Sequence, residues 1–175
     1  CSENPFMNLF GQPRSAEAAS EGTWRMGKKQ ARRPTARTAP AFAPRSEVEV
    51  WGAIERWERH VQPRAWDYFG GPEAVREVLA ELARGTDRND DLILGPEDQC
   101  VYWHGDVTTE DMQAVIRMVK PNESTESITY VNRVLAFMFA RDDSFEQLLK
   151  LPKEPFKMSC NDHLCVRLAH ILLDV

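Results

Sequence analysis

The sequence predicts an α+β fold in three parts: an extended N-terminal arm, a helical hairpin, and a small ββα-like module. Three observations carry this. Residues 11–46 are rich in Ala, Pro, Arg, Ser and Thr and show neither a helical nor a strand period. Residues 47–85 hold two runs of apolar side chains at helical spacing. Residues 98–175 hold two short strand-like runs, after which the apolar spacing turns helical again. The expected divisions are therefore 1–46, 47–85 and 98–175, with a charged loop from Thr86 to Asp91 between the last two.

The arm carries too little apolar surface to offset the entropy of ordering itself. It is expected to be held by something outside the chain, with Phe6, Phe10, Trp24 and Phe42 as anchors. Charge separates it from the rest. The chain has 22 Lys and Arg against 27 Asp and Glu, a net charge of -5. Residues 1–45 hold eight of those cations and three of the acids, net +5, which leaves 14 against 24, net -10, for the remainder. Arg25, Lys28, Lys29, Arg32, Arg33 and Arg37 are the candidate nucleic-acid-binding residues: each phosphate they neutralise releases counterions, and Trp24 among them can stack on a splayed base. A solvated tail is the other reading of the same composition. The first residue is Cys1, so either a leader has been removed or the sequence is a fragment; a Ser- and Arg-bearing, acid-poor start suits an organellar presequence, which points to the mitochondrion, with the nucleus second.

In the hairpin, Ser46 and Glu49 form a capping box that starts a helix near residue 47, Trp51, Ile54, Trp57 and Val61 line one face, and Pro63 stops it. The second helix covers 72–84, with Pro72 at its first position, Val75, Val78, Leu79 and Leu82 on its apolar face, and Gly85 as its C-terminal stop. Strands are predicted over 112–120 and 127–133 around the turn Pro121-Asn122-Glu123-Ser124. Val131, Val134, Leu135, Met138 and Phe139 then follow helical spacing. A second capping box, Ser144 with Gln147, begins a short helix that Pro152 ends. No apolar run approaches the roughly 18 residues needed to cross a bilayer, so no membrane insertion is expected.

The four cysteines stand at positions 1, 100, 160 and 165. Cys160-(x4)-Cys165-(x4)-His170 puts three soft ligands within eleven residues, where one loop can wrap a tetrahedral ion. Cys100, near a strand end, supplies the fourth ligand, and Cys1 is left unpaired. A structural Zn2+ is the expected cofactor, contributing on the order of 10 kcal/mol to folding in small metal domains. The competing reading is two buried thiols and a core histidine that meet by chance.

Cys100-Val101-Tyr102-Trp103-His104-Gly105 resembles the Cys-x-x-Trp-x-Gly opening of zinc-containing HNH-type, or His-Me finger, endonucleases. Arg133 resembles the arginine that begins that family's central helix, and Cys160, Cys165 and His170 resemble its closing zinc ligands. The resemblance covers about residues 98 to 175. It implies a nuclease ancestry, but the residues that would do the chemistry differ. The position of the family's general-base histidine, two before the first loop cysteine, is Met158, whose thioether accepts no proton at neutral pH. The family's Asn-Pro after the second cysteine is Arg167-Leu168. Ile171, Leu172, Leu173, Asp174 and Val175 follow His170, without the helix that in the family carries a Mg2+ ligand. His163 and His104 are the only stand-ins for the base, and no catalytic residue is assigned.

The expected function is a non-catalytic, zinc-binding structural subunit of a large assembly, such as a mitochondrial ribosome, contacting RNA or other subunits through the arm and taking no small-molecule substrate. Two alternatives stay open: an accessory subunit of a mitochondrial membrane complex, and a divergent metal-dependent nuclease using His163 with a ligand supplied in trans.

Overall fold

Residues 42–151 and 154–172 are described by a computed structural model. They form a mixed α/β structure of five α-helices and a two-stranded antiparallel sheet among the described residues. Helix α1 spans Glu47–Glu58, α2 Pro63–Phe69 and α3 Pro72–Arg84. Strands β1 (Val115–Val119) and β2 (Glu126–Tyr130) precede α4 (Val131–Phe139) and α5 (Asp142–Leu149).

The capping box at α1 forms as the sequence predicts: the Glu49 amide donates to Ser46 Oγ at 3.2 Å, and the Ser46 amide donates to Glu49 Oε1 at 3.1 Å. The buried stripe of α1 is Val50, Ala53, Ile54 and Trp57, with Val61 buried just beyond. Trp51, expected on that face, is 55% exposed instead. The stripe repeats at i, i+3, i+4 and i+7 from Val50, and the next residue lies about 100° further round the helix.

Pro63 opens a helix rather than only closing one. Proline at the first helical position loses no intrahelical hydrogen bond, so the same residue that ends α1 begins α2, which Gly70 terminates in the left-handed conformation (φ 76°). The expected pair of helices is thus three, with α1 and α3 packed together and α2 against α3 and α4.

Helix α3 follows the predicted bounds and buries Val75, Val78, Leu79 and Leu82. Its glycine acts differently from expectation. Gly85 is right-handed (φ -85°), so it is not needed for a left-handed stop. A side chain there would run into the ring of Trp103, and one at Gly105 would sit 2.6 Å from Trp103 Cζ2. The indole is held between two glycines, one at the end of α3 and one two residues further along its own segment.

The hairpin pairs Val115 with Tyr130 and Val119 with Glu126. Both strands are shorter than predicted, because β2 ends at Tyr130 and the helical spacing takes over at Val131. Helix α4 is buried on every side, which suits a short central helix touching β2, α2 and α5. Helix α5 starts at Asp142 with Arg141 as N-cap, not at the predicted Ser144 box. Asp142 and Asp143 place negative charge in its first turn, where the helix dipole favours it.

One cluster of buried side chains runs from Val50 through Leu92, Trp103, Ile116 and Leu135 to Val166, so the early helices and the cysteine-bearing segments share a core. Arg45, counted above among the arm's cations, is buried in it. Its guanidinium donates to the Ala83 carbonyl at 2.7 Å, to Thr86 Oγ1 at 2.8 Å and to the Asp90 carbonyl. Burial lowers its pKa from the usual value, and Asp91 nearby opposes that shift. No helix among the described residues is long and apolar enough to cross a membrane.

Candidate metal centre

Three backbone arrangements bring residues 100, 160, 165 and 170 together. First, Tyr102 and Cys165 face each other in an antiparallel bridge, with the Val166 amide donating to the Val101 carbonyl at 2.8 Å and the Trp103 amide to the Leu164 carbonyl at 2.8 Å. This bridge sets Cys165 next to the extended segment that carries Cys100. Second, the chain reverses between Cys160 and Cys165. Asn161 adopts the left-handed conformation (φ 59°), which Asn tolerates better than most residues, and the Asp162 carboxylate accepts from the Leu164 amide at 3.0 Å. Third, Met158 pairs with Ile171, and the Ser159 amide donates to the His170 carbonyl at 2.7 Å, returning His170 to the loop it closes.

The result is a compact donor set. One ligand atom from each of Cys100, Cys160, Cys165 and His170 lies within 4.8 Å of every other, so the four could hold a metal ion. His170 Nδ1 is 3.4 Å from Cys165 Sγ and 3.7 Å from Cys100 Sγ. With Zn–S near 2.3 Å and Zn–N near 2.0 Å, a regular tetrahedron would have edges of about 3.5 to 3.8 Å. The spacing and the chemistry of the donors therefore fit such an ion, and the three cysteines are not in disulfides.

The second imidazole nitrogen is also committed. His170 Nε2 lies 2.6 Å from the Glu97 carbonyl oxygen, to which its N–H donates. That bond fixes the tautomer and leaves the Nδ1 lone pair directed at the sulfurs. Sequence reasoning missed Glu97, and no signal could have found it, because the group used is a backbone carbonyl that every residue carries.

The protein alone does not favour thiolates here. Burial raises the pKa of Cys165, an effect the other two cysteines reinforce while backbone hydrogen bonds at Arg167 and Val101 work against it. Burial and Cys160 likewise raise Cys100. A divalent cation beside Cys100 and Cys165 would supply the positive charge that favours their thiolates.

Around the centre, Arg167 is fully buried and donates to the Asp91 carbonyl, and the Leu168 amide donates to the Leu92 carbonyl at 3.0 Å. Asp91 in turn accepts from Trp57 Nε1 at 2.9 Å. The residue standing where an Asn was expected therefore ties the cysteine loop to the α1 core. Met158 is 5% exposed, with its sulfur 4.0 Å from Asn132 Nδ2, which also donates to the Phe156 carbonyl at 2.8 Å. Arg133 is buried, its guanidinium over the Phe156 ring at 4.4 Å and donating to the Glu154 carbonyl at 2.9 Å. Of the two stand-in bases, His163 is exposed on the loop, and His104 stacks on Phe42 with ring centroids 4.2 Å apart.

Arg25, Lys28, Lys29, Arg32, Arg33 and Arg37 lie outside the described residues, as do Phe6, Phe10 and Trp24. No family model, no curated protein and no solved structure matches the chain.

Proposed function

We propose that Cys100, Cys160, Cys165 and His170 bind one structural Zn2+, and that the chain is a non-catalytic subunit of a large ribonucleoprotein assembly such as a mitochondrial ribosome. The observation that carries the zinc reading is the closed donor set. Four protein atoms meet, and the histidine's other nitrogen is bound to the Glu97 carbonyl, so a tetrahedral ion keeps no position for water or substrate. Structural zinc sites are closed in this way, whereas catalytic ones keep an open position. The likeness to a degenerate HNH-type module rests on the motif around Trp103 and on the order hairpin, helix, cysteine loop.

The absence of catalysis is supported by Met158. At the position where that family places its base, this chain has a buried thioether that packs against Asn132. The ribonucleoprotein reading rests on the cationic arm, which has the charge to neutralise phosphates.

Purified full-length protein tests these statements separately. Elemental analysis should find one zinc per chain, and cobalt substitution should give the absorption of a tetrahedral site with sulfur ligands. Incubation with DNA or RNA and Mg2+ or Mn2+ should leave the nucleic acid intact. Ultraviolet crosslinking in the native assembly should join the arm to RNA; crosslinks to protein alone would remove the RNA reading while leaving the zinc centre standing.

A further inference from the structure

A groove of about 880 Å³ lies between α1, α3 and β1, on residues the metal centre does not use. Its floor is apolar, with Val50, Ile54, Val78 and Ile116 among its lining residues, and Trp51 (55% exposed) and Val119 (52% exposed) stand open on it. Its rim is acidic. Glu47, Glu73, Glu77, Glu81, Asp106 and Glu126 line it against three arginines.

Those arginines already have carboxylates. Arg76 pairs with Glu58 at 3.0 Å, Arg84 with Glu47 and Glu81 at 3.4 Å each, and Arg117 with Asp106 at 3.8 Å and Glu126 at 4.0 Å. Glu73 and Glu77, successive turns of one α3 face, have no cationic partner among the described residues. A negative rim over an apolar floor repels phosphates and suits a cationic peptide with an aromatic or aliphatic anchor.

We infer that this groove is the docking site of the chain's own residues 24–41. Two independent features select that occupant. The segment holds Trp24 and six cations, Arg25, Lys28, Lys29, Arg32, Arg33 and Arg37, and no acid. The described chain also begins beside the groove. Phe42 stacks on His104, which lies between the lining residues Trp103 and Gly105 and donates its amide to the carbonyl of a third, Gly85, at 2.7 Å. The Ala43 amide is fixed to Asp87 Oδ2 at 2.8 Å, so the preceding residue leaves from a pinned position. Eighteen residues at about 3.3 Å each can reach about 60 Å, ample for crossing α1 and α3. The tether also gives the segment an effective concentration that a separate peptide lacks.

The inference needs neither zinc nor RNA, and its test is distinct from theirs. Full-length protein, mixed equally from 15N-labelled and unlabelled preparations, is treated with a carbodiimide that joins lysine to carboxylate without a spacer, then digested for mass spectrometry. Docking in cis predicts crosslinks from Lys28 or Lys29 to Glu73, Glu77 or Glu81 within a single isotopic copy. In an E73Q/E77Q variant, the remaining crosslinks to Glu47, Glu81 and Glu126 should fall by about fivefold. Mixed-isotope pairs in the majority would mean that a second copy's arm fills the groove, and they overturn the assignment. Crosslinks spread evenly over Glu110, Asp143 and Glu146 outside the groove overturn it too, as does an E73Q/E77Q yield equal to the parent's.

Discussion

His170 uses its two ring nitrogens for different tasks, Nδ1 toward the sulfurs and Nε2 toward the Glu97 carbonyl. Replacing a ligand therefore removes both a donor and the reason for the local chain path. Cys165→Ser is expected to abolish zinc retention and to lose most cooperative unfolding, measured by elemental analysis and by circular dichroism on heating. Met158→Ala should separate packing from metal: one zinc per chain as before, and a stability lowered by the about 2–5 kcal/mol typical of a truncated core methionine, read from the fall in the denaturant midpoint. Gly105→Ala tests the lock on Trp103. A Cβ 2.6 Å from the indole must displace the ring or the backbone at residue 105, for a cost of about 1–3 kcal/mol and a lower Tm. The Trp-x-Gly pattern was legible in the sequence as a motif. Its physical basis was not, because the other wall of the slot, Gly85, lies eighteen positions earlier and looked like an ordinary helix stop.

Elements were legible where a signal is local and one-sided. The Ser46–Glu49 box needs only four consecutive residues, and it forms; Ser46→Ala should cost about 1 kcal/mol, read as a shift in the urea midpoint. The face of α1 was harder, since Trp51 is apolar enough to suggest burial, and only the packing of α3 selects Val50 instead. Pro63 is ambiguous in principle, because it ends one helix and starts another by the same lack of an N–H. The end of β2 was misplaced for a related reason: Val131 is at home in either element, and the helix wins through burial on all sides. The loop after α3 has its own pH signature. Burial alone would raise Asp87, but the backbone amides of Asn89 and Ala43 outweigh it and hold its pKa below the ordinary carboxylate value. A depressed carboxylate stabilises the fold above its unfolded pKa and loses that contribution as pH falls through its folded pKa. Asp87→Asn should therefore lower stability near neutrality and flatten the fall in stability on acidification, measured by denaturant titrations across the acid range.

At the scale of the molecule, the shared core would make an ion held by the four donors a concern of every helix. With one cluster of buried side chains running from Val50 to Val166, chelation is expected to yield a single unfolding transition rather than a released loop on an intact helical body. Matching far-ultraviolet and tryptophan fluorescence curves during chelator titration would check this. The four candidate donors, which the fold brings together, were legible in the sequence because soft donors at short spacing have few other uses. The groove was not legible, since its acids come from α1, α3, the loop before β1 and β2, and only the fold puts them on one rim. If the same cations serve the groove and RNA, the two compete; added RNA should lower the yield of arm-to-α3 crosslinks, more strongly at low salt than at high.

The chain order of the ligands has a consequence for biogenesis. Cys100 leaves the ribosome well before its three partners, so one sulfur waits while Cys160, the first of them, is synthesised sixty positions later. Closing a ring of that length removes on the order of 4 kcal/mol of freedom from the unfolded chain on the entropy scale used for covalent bridges. The clasp can shut only after the residues of the hairpin and of α4 have been synthesised. Supply of the ion thus acts late, once residues 100–170 have all been synthesised, and a shortage would leave the shared core without its clasp.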